Sequence, residues 1–148
     1  MNKELLIESV SLSRTLDEAR IKFLSALEKT TRERPGIKIC YVIGTVTSDG
    51  PEHIQENLKL LKERSAKVAE TFEGIAFSAA DLFNQTLFDR FNKVGAKNQD
   101  YLDFWEAIIK SGYITDIVRT PKWQLSIGAS HESKIAIEGG LQVQDYSE

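Results

Sequence analysis

The stretch IKICYVIG, residues 37–44, decides the fold. It is short, apolar almost throughout, rich in β-branched residues and closed by Gly44. A strand with one wet face would alternate apolar and polar residues, so this pattern predicts a strand buried on both faces. Downstream the pattern changes period repeatedly. The hydroxyl-rich loop TVTSDGP leads into a helix predicted over 52–72, with Ile54, Leu58, Leu61, Ala66, Val68 and Ala69 apolar and Gly74 placed to end it. IAFS, 75–78, is a second short strand. Residues 82–111 read as two helical pieces divided near Gly95, the second over 98–110 with Leu102, Trp105, Ile108 and Ile109 in register. YITDIVRT, 113–120, is a third strand despite Asp116 within it. A helix from Ile127 to Gly139-Gly140 and a last strand LQVQ, 141–144, complete the order, and residues 145–148 are expected to fray. Strands alternating with helices predict an α/β protein with a mostly parallel sheet of four or five strands, covered on both faces.

Upstream, the first 34 residues carry Leu5, Leu6, Val10, Leu12, Leu16, Ile21, Phe23, Leu24 and Leu27 at mostly helical spacing. Ser13-Arg14-Thr15 can interrupt the run, which leaves one helix or two, and Pro35-Gly36 ends it. The chain therefore divides into an N-terminal helical extension, 1–36, and an α/β domain, 37–148. The extension either packs on the sheet of its own chain or serves as an interface between chains.

At 148 residues there is room for one domain with a real core. With 41% apolar and 28% charged residues the composition is that of an ordinary globular protein. A formal charge of −3 argues against nucleic acid as the main partner. No apolar run approaches the roughly 20 residues needed to cross a membrane. Lys3 and Glu4 precede LLIESV and acids recur too soon for a signal peptide, so a cytoplasmic location is expected. The single Cys40 lies inside the first strand as a small core residue, and no disulfide can form within the chain.

In open parallel sheets ligands bind beyond the carboxyl ends of the strands, where strand order reverses. That directs attention to three loops, residues 44–51, 78–83 and 120–126. Just past the last of them, the helix in PKWQLSIGASHESKIAIEGG, 121–140, carries an acid on the wrong side. Steps of 100° put Gly128, Glu132, Ile135 and Ala136 in one inward sector, with Ser130, His131, Lys134 and Glu138 opposite. Burial would raise the Glu132 pKa, while the nearby helix N-terminus would favour its charge. Glu132 is either a functional carboxylate or an acid that merely complements the helix dipole. Gly128 and Ala129 leave space one turn before it. Ser126 is a natural N-cap, and the amides after it could face an anion. Trp123 could stack on a base or pack in the core. Asp81 ends the second strand, where it can meet a ligand or cap the turn. Asp100 and Asp103 flank a helix start as a possible second carboxylate or as caps, and Arg119 could reach a phosphate or pair with a surface acid. GTVTSDG is neither GxGxxG nor a Walker A loop. His53 and His131 lack a metal-ligand pattern, and no metal site is assigned.

These residues resemble the nucleoside 2-deoxyribosyltransferase-like family, including its nucleotide N-glycosidase branch and short relatives. The resemblance spans residues 37–145 and rests on the order Trp123, Ser126, Gly128, Ala129, Glu132 and Ala136 in PKWQLSIGASHESKIAIEGGLQV. YVIGT, FSAADLF and QDYLDFW add to it. It implies a flavodoxin- or Rossmann-like three-layer sandwich. It further implies that Glu132 attacks the anomeric carbon of a deoxyribosyl group and expels the base, the glycosyl-enzyme then being captured by a second base or by water. Asp103 or Asp100 would orient the sugar or assist the base. Ser126 and the amides at Gly128 and Ala129 would face a 5′-hydroxyl or 5′-phosphate, and Gly44 and Thr45 would lie under the sugar. The expected partner is a small-molecule nucleoside or nucleotide, with no metal or other cofactor and no membrane. A homodimer or higher homo-oligomer, the neighbouring subunit closing the site, is also implied. Two other readings suit the same fold: a non-catalytic nucleotide-binding or sensing module, and a structural oligomerisation protein.

Overall fold

In the computed structural model, which describes residues 3–147, the run at 37–44 forms β1, Ile39–Ile43, and all five of its side chains are buried. β2 (Ile75–Ser78) and β3 (Asp116–Arg119) flank it, and β4 (Gln142–Asp145) adds beyond β3, giving the order β2-β1-β3-β4. Every pairing is parallel, with Tyr41 opposite Phe77 on one side and Ile117 on the other. The molecule is an α/β sandwich of Rossmann/flavodoxin-like architecture around a four-stranded, all-parallel sheet.

Seven α-helices are described: α1 (Glu4–Val10), α2 (Leu16–Glu33), α3 (Ile54–Thr71), α4 (Ala79–Leu82), α5 (Gln85–Lys93), α6 (Asn98–Lys110) and α7 (Ile127–Glu138). The alternation of β1 divides them. Cys40 and Val42 face α3, where Leu61, Ala76 and Ala80 join them in a small core. Ile39, Tyr41 and Ile43 face the opposite way, into a larger core built with α2, α6 and α7. The chain leaves β1 on one face and returns from β2 to β3 on the other, so strand order reverses between β1 and β3.

The N-terminal segment is two helices, because Thr15 caps α2 by accepting the Glu18 amide. Leu6, Val10, Leu16, Phe23 and Leu27 are buried, whereas Leu5, Leu12 and Ile21 are exposed. Phe23 meets Phe77 of β2 edge-on at 5.5 Å and stacks over Phe104 of α6 at 6.5 Å. Residue 36 thus marks a change of secondary structure, while α2 contributes to the same core as the sheet.

Three boundaries differ from expectation. The helix expected at 52 begins as a 3-10 turn, Pro51–His53, and becomes α-helical at Ile54. β3 starts only at Asp116; just before it, the Thr115 amide donates to the Ile39 carbonyl at 2.9 Å and the Thr115 hydroxyl accepts the Ile39 amide at 3.0 Å. Asp145, expected to fray, belongs to β4 and is held by Arg119 at 2.8 Å. No described helix is long and apolar enough to cross a membrane.

Because Phe23 is wholly buried among three rings of β2 and α6, Phe23→Ala should destabilise the protein by about 3–5 kcal/mol. Urea unfolding monitored by the Trp105 fluorescence measures this; a loss below about 1 kcal/mol would mean that α2 is peripheral to the fold.

Candidate functional site

Gly44 follows β1 where its backbone runs against Thr120 at the end of β3. Thr120 donates its amide and its hydroxyl to the Ile43 carbonyl, at 3.0 and 2.8 Å. A Cβ on Gly44 would lie 2.3 Å from Thr120 Oγ1, so only glycine allows this approach. Beyond it the two loops part around a cavity of about 290 Å³, at the small end of the range of roughly 300–1,000 Å³ for ligand sites. Gly44 and Thr45 lie on its β1 side, Thr120 and Lys122 on its β3 side, and Asn57 and Arg64 of α3 form the third wall. Asn57 braces the 44–51 loop by donating to the Val46 carbonyl at 3.1 Å and to Asp49 at 2.7 Å.

Ser126 is the N-cap of α7, accepting the Ala129 amide at 3.2 Å. The Ile127 amide donates to Ser48 Oγ at 3.1 Å, which ties the first loop to the start of α7. Two of the amides expected to meet an anion therefore have partners within the chain.

Glu132 points inward, as the helical steps require, and is only 6% exposed. Tyr41 of β1 donates its hydroxyl to Glu132 Oε2 at 2.8 Å. The Tyr41 ring cannot swing freely, since it stacks on Trp105 at 4.4 Å and on Phe77 at 5.3 Å. Burial pushes the Glu132 carboxyl up to about 8, with the Tyr41 hydrogen bond pulling the other way. Glu132 is the sixth residue of α7, past the first turn where the helix dipole acts strongly, and desolvation wins. Burial, followed by the charge of Glu132, holds the Tyr41 hydroxyl well above its ordinary range, so it remains a donor. Glu132 lines neither described cavity.

The remaining candidates are dispersed around the same end of the sheet. Asp81 is saturated: its carboxylate accepts from Lys3 at 2.9 Å, Ser65 at 2.8 Å, and the amide and hydroxyl of Ser78 at 2.9 and 3.2 Å. Asp100 accepts the Lys97 amide at 2.8 Å as an N-terminal cap of α6, and Asp103 accepts from Gln99 at 2.8 Å. Both line a second cavity of about 370 Å³ beside Asp17 and Arg20 of α2, not the one at Gly44. Trp123 lies under the Arg119 guanidinium at 4.3 Å, and Arg119 also bonds Asp145 and Ser133, so that cation is already engaged. Gly128 has Leu102 of α6 3.7 Å from where a Cβ would stand. His131 pairs with Glu106 at 3.0 Å, and among the described residues no group of three His, Cys, Asp or Glu is placed to hold a metal. Burial, then Asp116, pushes the Cys40 thiol up to about 12, which leaves it unreactive.

The structure thus joins Gly44 to Thr45, and Ser126 to Glu132 through α7, and sets Asp100 and Asp103 apart at another cavity. Three contributors escaped the sequence reading. Tyr41 was legible only as an apolar strand residue, although its parity within β1 is the one that faces α7. Arg64 and Lys122 sit in stretches where cations are ordinary surface residues.

The raised Glu132 pKa gives a stability test. An unfolded Glu titrates near 4.5 and the folded one at about 8, so between these values the folded protein keeps a proton that the unfolded chain has lost. Stability contributed by this group is full below the lower value and falls as pH rises towards 8. Wild type should lose on the order of a few kcal/mol between pH 5 and 8, and Glu132→Gln should remove most of that fall. Denaturant midpoints across pH measure it; equal slopes in both proteins would refute the assignment. Compared with known proteins, the chain matches no family model, no curated protein and no solved structure.

Proposed function

We propose that this protein binds a (deoxy)nucleoside or nucleoside 5′-monophosphate at the reversal between β1 and β3 and cleaves or transfers its N-glycosidic bond. The observation that carries the reading is the Glu132–Tyr41 pair: a buried carboxyl, fixed by a clamped phenol at 2.8 Å, on the helix that starts at this end of the sheet. A carboxylate so held can attack the anomeric carbon, forming an ester bond to the sugar as the bond to the base nitrogen breaks and the base leaves with the electron pair. Water or a second base then attacks the same carbon, the ester bond breaks, and Glu132 is regenerated as a carboxylate. Tyr41 steadies that leaving carboxylate by donating to it. Asp100 or Asp103 would orient the sugar or assist the departing base, which takes its proton from water, and this role requires ligand binding to draw α6 towards the crevice. Entry of the sugar likewise requires the Ser48–Ile127 hydrogen bond to open.

A second reading has its own support. Glu132 is 6% exposed and outside the crevice, which suits a module that binds a nucleotide without turning it over. Incubation with a panel of deoxynucleosides and their 5′-monophosphates separates the two. Free base should accumulate with wild type and fall by at least about 1,000-fold with Glu132→Ala. Binding without release of base, or release that survives the substitution, would exclude Glu132 as nucleophile.

The pH profile is a further expected outcome. The nucleophile is the ionised form and the free protein holds Glu132 near 8, so kcat/KM should rise with pH and level off above that value. A profile that falls through pH 8 would instead make Glu132 a proton donor.

A further inference from the structure

The crevice walls hold two cations, Arg64 on α3 and Lys122 on the β3 side, with which no carboxylate of the described residues forms an ion pair. Arg64 Nε is buried without a hydrogen-bond partner, and its guanidinium lies 5.8 Å from the centroid of the Tyr146 ring. A buried guanidinium donor with no acceptor is destabilising unless a ligand supplies one. Lys122 lines the same cavity, and its ammonium group makes no described hydrogen bond or ion pair. The cavity's one acid, Asp49, is already occupied by Asn57 at 2.7 Å.

The backbone at Lys122 is unusual as well. Thr120, Pro121, Lys122 and Trp123 form a turn closed by the Trp123 amide donating to the Thr120 carbonyl at 3.2 Å. Lys122 sits at its third position with φ 66° and ψ 20°, the one described non-glycine residue with positive φ. Glycine or asparagine ordinarily fills that position, because a Cβ strains it. A strained lysine and an arginine whose Nε has no acceptor line one cavity, which points to function at that place. The α7 amides are weaker competitors for an anion, since those of Ile127 and Ala129 donate to Ser48 and Ser126. The exposed side chains of Leu60 and Leu125 add an apolar part to the lining of the same cavity.

We propose that Arg64 and Lys122 form an anion site that selects a phosphorylated ligand, the phosphate seated between the two cations and the apolar part of the ligand against Leu60 and Leu125. This rests on the reading that the crevice takes the ligand, and it narrows that ligand to the 5′-monophosphate; it requires no catalysis by Glu132. Arg64 supplies a planar fork to the phosphate oxygens and Lys122 a point charge.

The test is binding to the full-length chain, measured by titration calorimetry at fixed ionic strength with a deoxynucleoside, its 5′-monophosphate and inorganic phosphate. The monophosphate should bind at least about tenfold more tightly than the nucleoside, the advantage expected of charge-assisted hydrogen bonds. Lys122→Gly should abolish most of that advantage and hold or raise the melting temperature, because glycine relieves the strained turn. Arg64→Gln should act in the same direction on affinity. In wild type, inorganic phosphate should shift the Arg64 Nε–H resonance. Equal affinity for nucleoside and monophosphate, an undiminished preference in Lys122→Gly, or an unmoved Arg64 resonance would each overturn the proposal. Tight phosphate-dependent binding without release of base would leave the anion site standing and remove the glycosidase reading. Turnover of nucleoside and monophosphate alike, unaffected by either substitution, would do the reverse.

Discussion

Five consecutive β1 side chains are shut away from solvent, and that constraint organises both the core and the site. Because successive residues point to opposite faces, Cys40 and Val42 meet α3 while Ile39, Tyr41 and Ile43 meet the larger helical layer. The strand must be central to be covered twice, so it has a neighbour on each side, and the chain has to reverse direction across the sheet to supply both. The crevice at Gly44 is a consequence of that reversal. The same parity that buries Tyr41 under Trp105 aims its hydroxyl at α7.

Glu132 shows how such a core can hold a carboxyl. Burial raises the cost of its charge, and the protein meets that cost by keeping the proton near neutral pH and by providing one firm donor. A nucleophile on this arrangement sits one proton away from its active form. Ligand binding would have to lower the Glu132 pKa, and an approaching sugar with developing positive charge at its anomeric carbon does so by attraction. The saturated Asp81 and the engaged Arg119 show a different arrangement at the same end of the sheet: their charges are already balanced by neighbours.

Much of the fold was legible because it depends on period and burial, which short segments carry locally. IKICYVIG and IAFS read as strands within a residue or two of their ends, and the inward position of Glu132 followed from helical steps alone. Thr15 and Ser126 were recognisable as interruptions or caps by residue type. What was not legible depends on contacts between distant residues. Nothing in the first turn of the chain announces that Lys3 reaches Asp81, 78 residues on. The phenol of Tyr41 gains its meaning only when α7 is laid against β1. Lys122 gains its meaning only when the turn that strains it is seen beside Arg64. The placement of Asp100 and Asp103 at the second cavity is of this kind too, since it depends on how α6 packs against α2.

The account centres on Glu132 as a carboxylate that bonds to an anomeric carbon. The most direct measurement is the mass of the intact protein after incubation with a nucleoside whose arabinosyl sugar carries fluorine at the 2′ position, a substitution that slows release of the sugar. The account predicts an increment equal to one fluorinated glycosyl group, mapping to the peptide that contains Glu132 and absent from Glu132→Gln. Base released with no adduct, an adduct on another residue, or no reaction across the nucleoside and monophosphate series would contradict it.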